Sequence, residues 1–124
     1  MLSPFDRELH LGEVQRWAIN QGVEPMAPDS LPAAGVIEPG VAVGWLYQTD
    51  SKVGFLEQFV TNPEAPGRAR LAAVDAIASA LMAQAKGLGI TKVVAMTRHR
   101  SIGRIAIRHG FTYAGPMHVL AAEV

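Results

Sequence analysis

The chain has 124 residues, of which 49% are apolar and 18% charged, with no cysteine and a formal net charge of zero. This composition excludes a disordered polar chain and a disulfide-stapled one, and it leaves no thiolate for metal binding or nucleophilic attack. The charge is unevenly divided: residues 1–64 carry three basic and nine acidic side chains, residues 65–124 eight basic and two acidic. Such a split accompanies either an anion-binding face or two ordinary solvated faces.

One domain over residues 1–124 is expected at this length. The segment MLSPFDRELH turns polar where a signal peptide needs an apolar stretch, and runs such as Val41–Leu46 are too short to cross a bilayer. A cytoplasmic setting with no membrane partner is therefore expected. His10, His99, His109 and His118 show no metal-ligand spacing, so no metal site is expected either.

In chain order, residues 6–21 place Leu9, Val14, Trp17 and Ala18 near helical spacing, and Gly22 follows as a stop. Residues 24–35 hold three prolines and a glycine, which predicts a loop. Val36-Ile37 is a short strand before the Glu38-Pro39-Gly40 turn. Val41–Gln48 and Val53–Thr61 are rich in β-branched and aromatic residues, and residues 49–52 join them as a hairpin.

Leu71, Val74, Ile77, Ala78, Leu81, Met82, Ala85 and Leu88 then repeat at helical spacing. The spacing predicts a helix over residues 68–87, with Pro66 at its entry and Gly87 and Gly89 at its exit. Ile90–Met96 reads as a buried strand, Ser101–His109 as a short helix stopped by Gly110, and 111–113 with 117–124 as a strand pair. A hairpin feeding a β-α-β unit predicts an α/β (α+β) fold with a mixed, mostly antiparallel sheet and flanking helices.

This order of elements, closing with Arg108-His109-Gly110-Phe111 and then Gly115, resembles the GNAT superfamily of acyl-CoA N-acyltransferases, whose ending reads Y-E-K-x-G-F…G. Asn62-Pro63 after the strand that precedes the long helix is similar to a short phage-encoded branch. The resemblance covers residues 36–124, with residues 1–22 as the family's first helix. It implies transfer of acetyl from acetyl-CoA to a primary amine, on a small molecule or a protein, by direct attack. It also implies roles for particular residues.

The strand Val53–Thr61 corresponds to the family's pantetheine strand, which puts the backbones of Phe59, Val60 and Thr61 beside CoA. The phosphate loop corresponds to Gly67, Arg68, Ala69 and Arg70 at a helix N-terminus, where free N–H groups and the dipole favour anions. Here Pro66, Ala69 and Leu71 replace the family's marked loop residues, and the two arginines are candidates to compensate. Leu71 could instead point into the core.

Glu57, the only carboxylate in the three central strands, is the candidate general base. Strict alternation would place it among Phe55, Phe59 and Thr61, and a carboxylate among aromatic rings holds its proton more tightly. Tyr47, Tyr113 and His118 are further polar groups for the cleft. His99 falls near the family's helix-start asparagine, and Ala106 falls where the family's acid, a tyrosine, stands.

The worn loop and the missing tyrosine leave an alternative open: a catalytically degenerate accessory or binding protein on the same fold. Nucleic acid is a disfavoured partner. Arg100, Arg104 and Arg108 form a basic stripe with Arg98 and Lys92 nearby, but no aromatic residue interleaves the arginines and the total charge is zero. A homodimer stays open.

Overall fold

The structure, a computed structural model, describes residues 1–97 and 99–124. Its elements are β1 (Ser3–Pro4), α1 (Arg7–Asn20), a 3₁₀ turn (Pro28–Ser30), β2 (Gly35–Glu38), β3 (Ala42–Gln48), β4 (Val53–Thr61), α2 (Gly67–Gly87), β5 (Lys92–Ala95) and α3 (Arg100–Arg108). One sheet runs in the order β1-β2-β3-β4-β5, antiparallel from β1 to β4. β4 and β5 are parallel, joined by α2 as the crossover.

Helix α1 starts where Asp6 accepts from the N–H groups of Glu8 and Leu9, which satisfies two of its four free donors. All three helices end alike. Val23, Ile90 and Phe111 donate back to the carbonyls of Ala18, Ala85 and Ala106, and Gly22, Gly89 and Gly110 take positive φ at the turn. This is the Schellman stop, and it explains why a glycine punctuates the sequence at each helix end.

Apolar side chains fill both faces of the sheet. On one face α2 lays Ala73, Val74, Ile77, Leu81 and Ala85 against Val36, Ala42, Leu46 and Leu56. On the other, Val14 and Trp17 of α1 pack with Ile37, Val43 and Trp45, closed by Met26 and Leu31 from the proline-rich segment. No helix among the described residues is long and apolar enough to cross a membrane.

Three local expectations are corrected. Gly35 belongs to β2 rather than to the loop, and β1 adds a strand at the sheet edge that the sequence did not signal. β5 is an edge strand of four residues, its two valines only half-buried. Residues 111–124 form no strand, and the outer edge of β5 pairs with no other strand among the described residues. Arg98, counted with the basic stripe, lies outside the described residues.

Candidate functional site

The sheet opens at β4. Its pairing with β5 runs from Val53–Lys92 to Leu56–Ala95 and stops there. Its pairing with β3 continues to Ala42–Thr61, so residues 57–61 keep one edge bonded and present the other to a cleft. The cleft has a volume of about 1840 Å³.

A β-bulge shapes that edge. Val43 opposes Val60 and Trp45 opposes Glu57, so β4 spends one residue more than β3 over this stretch. The extra residue is accommodated by Gln58, which sits at φ 63°. The bulge reverses the side-chain alternation, and this corrects the expected surroundings of Glu57. Glu57 stands opposite Trp45 on the α1 face, whereas Phe59 turns to the α2 face. There its ring lies over Gly44, and a Cβ at Gly44 would come within 2.6 Å of it. By the same alternation Val60 returns to the α1 face and Thr61 to the α2 face.

The backbone of this edge is partly engaged. Asn62 N–H donates to the Val41 carbonyl at 2.8 Å, so in an antiparallel ladder Val60 also turns its polar groups to β3. Phe59 and Thr61 turn theirs to the cleft. The Thr61 carbonyl accepts from Gln21 Nε2 at 2.7 Å, and the same amide donates to Trp17 O at 3.0 Å. The end of α1 thereby closes one end of the cleft, a contact that the sequence did not announce.

Asn62 turns the chain after β4. Its amide donates to Gly40 O and its oxygen accepts from Glu64 N–H, so the Asn-Pro pair makes a fixed corner ahead of α2. Helix α2 begins at Gly67 with Pro66 as its cap residue, no side-chain cap and no acid in its first turn. The first main-chain bond runs from Arg70 N–H to Pro66 O, which leaves the N–H groups of Gly67, Arg68 and Ala69 free.

Arg70 folds back over this end: its Nη2 lies 3.7 Å from where a Gly67 Cβ would be, and its Nε is buried without a partner. Arg68 is exposed and Ala69 half-buried, and neither lines the cleft. Glu57, Phe59, Val60, Thr61, Gly67, Arg70 and His99 do line it. Leu71 is exposed on the cleft wall, not turned into the core.

The far wall belongs to α3. His99 precedes its first turn, exposed and with no side-chain capping bond. Ala106 lines the cleft, so no phenol stands at that position. His109 Nε2 lies 2.8 Å from Asp75 Oδ1 and fixes the end of α3 to α2. Tyr113 and His118 line the cleft from the chain beyond α3.

Tyr47 instead packs against the α1-face cluster. Burial pushes its phenol above the usual range, the Glu57 carboxylate pushes the same way, and the nearby Gln58 side chain opposes them. Even so, the hydroxyl makes no hydrogen bond of acceptable geometry.

The fold has counterparts among solved structures. Rv2747 from Mycobacterium tuberculosis, solved in complex with CoA, superposes with a TM-score of 0.74 at 17% identity, covering 98% of this chain and 76% of that one. An acetyltransferase from Trypanosoma brucei gives 0.69 at 14% identity over 98% and 99%. The fold is the GNAT fold. TTHA1254 from Thermus thermophilus shares it as well, with a TM-score of 0.68 at 18% identity over 100% and 96%. No protein-family model and no curated protein matches this GNAT-fold chain. At such identities the likeness carries the architecture, and the chemistry has to be argued from the site.

Proposed function

We propose that this GNAT-fold protein is an N-acetyltransferase that moves the acetyl group of acetyl-CoA to a primary amine by direct attack. The observation that carries the reading is the open edge of β4 beyond Leu56, which leads into the uncapped, doubly basic start of α2. An extended amide-bearing arm is what an unpaired strand edge recognises, and a diphosphate is what free helix N–H groups beside arginines recognise.

The residues present fit such a donor. Backbone groups of Phe59 and Thr61 face the cleft, Gly67 allows close approach at the helix start, and the unpartnered Nε of Arg70 lies beside it. Without an anion, two arginines in a first turn are opposed by the helix dipole.

Acetyl-CoA supplies the electrophile, a thioester carbonyl. Glu57 takes a proton from the amine nitrogen as the carbon–nitrogen bond forms and the carbon–sulfur bond breaks. The departing thiolate takes its proton from water, since the cleft wall carries Ala106 where a phenol would otherwise serve.

Two assays on the full chain test this. Calorimetric titration with acetyl-CoA is expected to give micromolar affinity. Release of free CoA thiol is expected with at least one member of a panel of polyamines and lysine peptides. Glu57→Gln should keep the affinity and lower kcat by about 100-fold or more. Absence of binding at high micromolar acetyl-CoA overturns the reading. Ala106 favours a second reading, a non-catalytic binding protein on this fold, and binding without turnover of any amine would select it.

A further inference from the structure

Among the described residues, three buried side-chain polar atoms have no hydrogen-bond partner: Trp45 Nε1, Tyr47 Oη and Arg70 Nε. Arg70 belongs to the anion end of the cleft. Trp45 Nε1 lies against Gly35, where a Cβ would come within 2.5 Å of it, inside the α1-face core. Tyr47 differs, because it has a charged neighbour.

Tyr47 pairs with Phe55 and Trp45 pairs with Glu57, so Tyr47 and Glu57 are diagonal neighbours on one face of an antiparallel pair. Long side chains reach each other across that diagonal. The bulge at Gln58 strengthens the arrangement, since it removes Phe59 from this face, while Glu57 lines the cleft.

A buried phenol that stays protonated can donate, and a buried donor without an acceptor is costly. Glu57 is the charged group that acts on the phenol. The titratable groups sharing the cleft with Glu57 are Arg70 from α2, Lys92 from β5, His99 and His109 at the two ends of α3, and Tyr113 and His118 beyond it. Gln21 faces them from the end of α1 and carries no charge.

We propose that Tyr47 is a positioning residue for Glu57: its hydroxyl donates to the Glu57 carboxylate and holds it, ionised, toward the cleft. The proposal rests on the acetyltransferase reading only for the part that Glu57 plays as base. A fixed donor holds the carboxylate in one orientation toward the amine, so Tyr47 acts on the rate through the geometry of the base.

Two measurements separate this proposal from that reading. The chain has two tyrosines, so Tyr113→Phe leaves Tyr47 as the only phenol for an ultraviolet ionisation titration, which needs no turnover. In that background Glu57→Gln is expected to move the phenol midpoint down toward its ordinary value. An unmoved midpoint overturns the contact.

The second measurement is kcat in a double-mutant cycle. Tyr47→Phe is expected to lower kcat by about ten-fold with the Kd for acetyl-CoA unchanged, and to cost nothing further in the Glu57→Gln background. Equal losses in the two backgrounds overturn the positioning role, because loss of packing acts whether or not the carboxylate is present. If Glu57→Gln keeps full activity, the base reading fails, and the phenol titration alone then decides whether the two groups meet.

Discussion

At the scale of single residues, Gln58 decides which side chains the cleft receives. It is the only described non-glycine residue at positive φ, a conformation that costs an L-residue about 1–2 kcal/mol. Glycine adopts it freely but loses more chain entropy on folding, which returns about 0.5–1 kcal/mol of that gain. Gln58→Gly should therefore stabilise the fold by up to about 1 kcal/mol in urea denaturation and keep the bulge. Gln58→Val, β-branched at the same φ, should destabilise by about 1–2 kcal/mol and weaken acetyl-CoA binding, because flattening the strand re-aims Phe59. Tyr47 gives a second test at this scale. Its folded phenol holds its proton above the ordinary value of 10.0, while the unfolded chain ionises at that value. Stability is thus full below the ordinary value and is lost as pH rises from there through the raised one. Tyr47→Phe should flatten this alkaline loss in melting curves. At neutral pH it should cost about 1 kcal/mol, the net worth of the hydrogen bond proposed from its hydroxyl to Glu57.

Among the elements, the helix ends are where sequence and structure agree most closely, and the agreement has a mechanical cause. Gly89 sits at φ 78° past the end of α2, whereas Gly87 is an ordinary helical residue; neither has an atom within 4 Å of where a Cβ would go. Alanine at the two positions therefore isolates backbone conformation from packing. Gly89→Ala should cost about 1–2 kcal/mol, while Gly87→Ala should add about 0.5–1 kcal/mol, read as opposite shifts of the urea midpoint. A stop that only glycine satisfies is legible in one sequence, and so were α1, α2 and α3 within a residue or two. The β3–β4 hairpin was legible because its residues favour a pleated, half-buried surface. The bulge was not, since glutamine at positive φ has no sequence signature, and Gly44 opposite it hints only at a close approach. Placing Glu57 beside Phe59 followed from assuming unbroken alternation, and one extra residue reverses every side chain beyond it. The closing strands failed for a different reason: β propensity alone makes no ladder, and Met117, Val119 and Leu120 stay exposed. The start of α2 was located from Pro66 and the arginines, but the contact of Gln21 with Thr61 spans 40 residues and could not be.

For the whole molecule, the division of charge acquires a geometry. The acidic residues 1–64 build α1 and four of the five strands; the basic residues 65–124 build α2, β5 and α3, which form most of the cleft wall away from β4. Arg70 at one end and Lys92 and His99 along the side face the opening, while Arg108 lies 3.8 Å from Asp75 in an exposed pair of little energetic weight. An overall neutral protein can thus present a positive cleft to an anion, and the field there should act on binding rather than on the fold. Solvent screening then gives a test. Raising the ionic strength from about 0.05 to 0.5 M shortens the screening length severalfold, so the Kd for acetyl-CoA should weaken by about an order of magnitude. The melting temperature should hardly move. Arg70→Ala should weaken binding about ten-fold at low salt, the size of one lost charge-assisted hydrogen bond, and should flatten the salt dependence. Glu57→Gln, on the acyl-acceptor side, should leave both the low-salt Kd and its salt slope close to the parent. A salt-independent Kd, or a slope that survives Arg70→Ala unchanged, would mean that the start of α2 does not hold the anion and that the charge split is only two solvated faces.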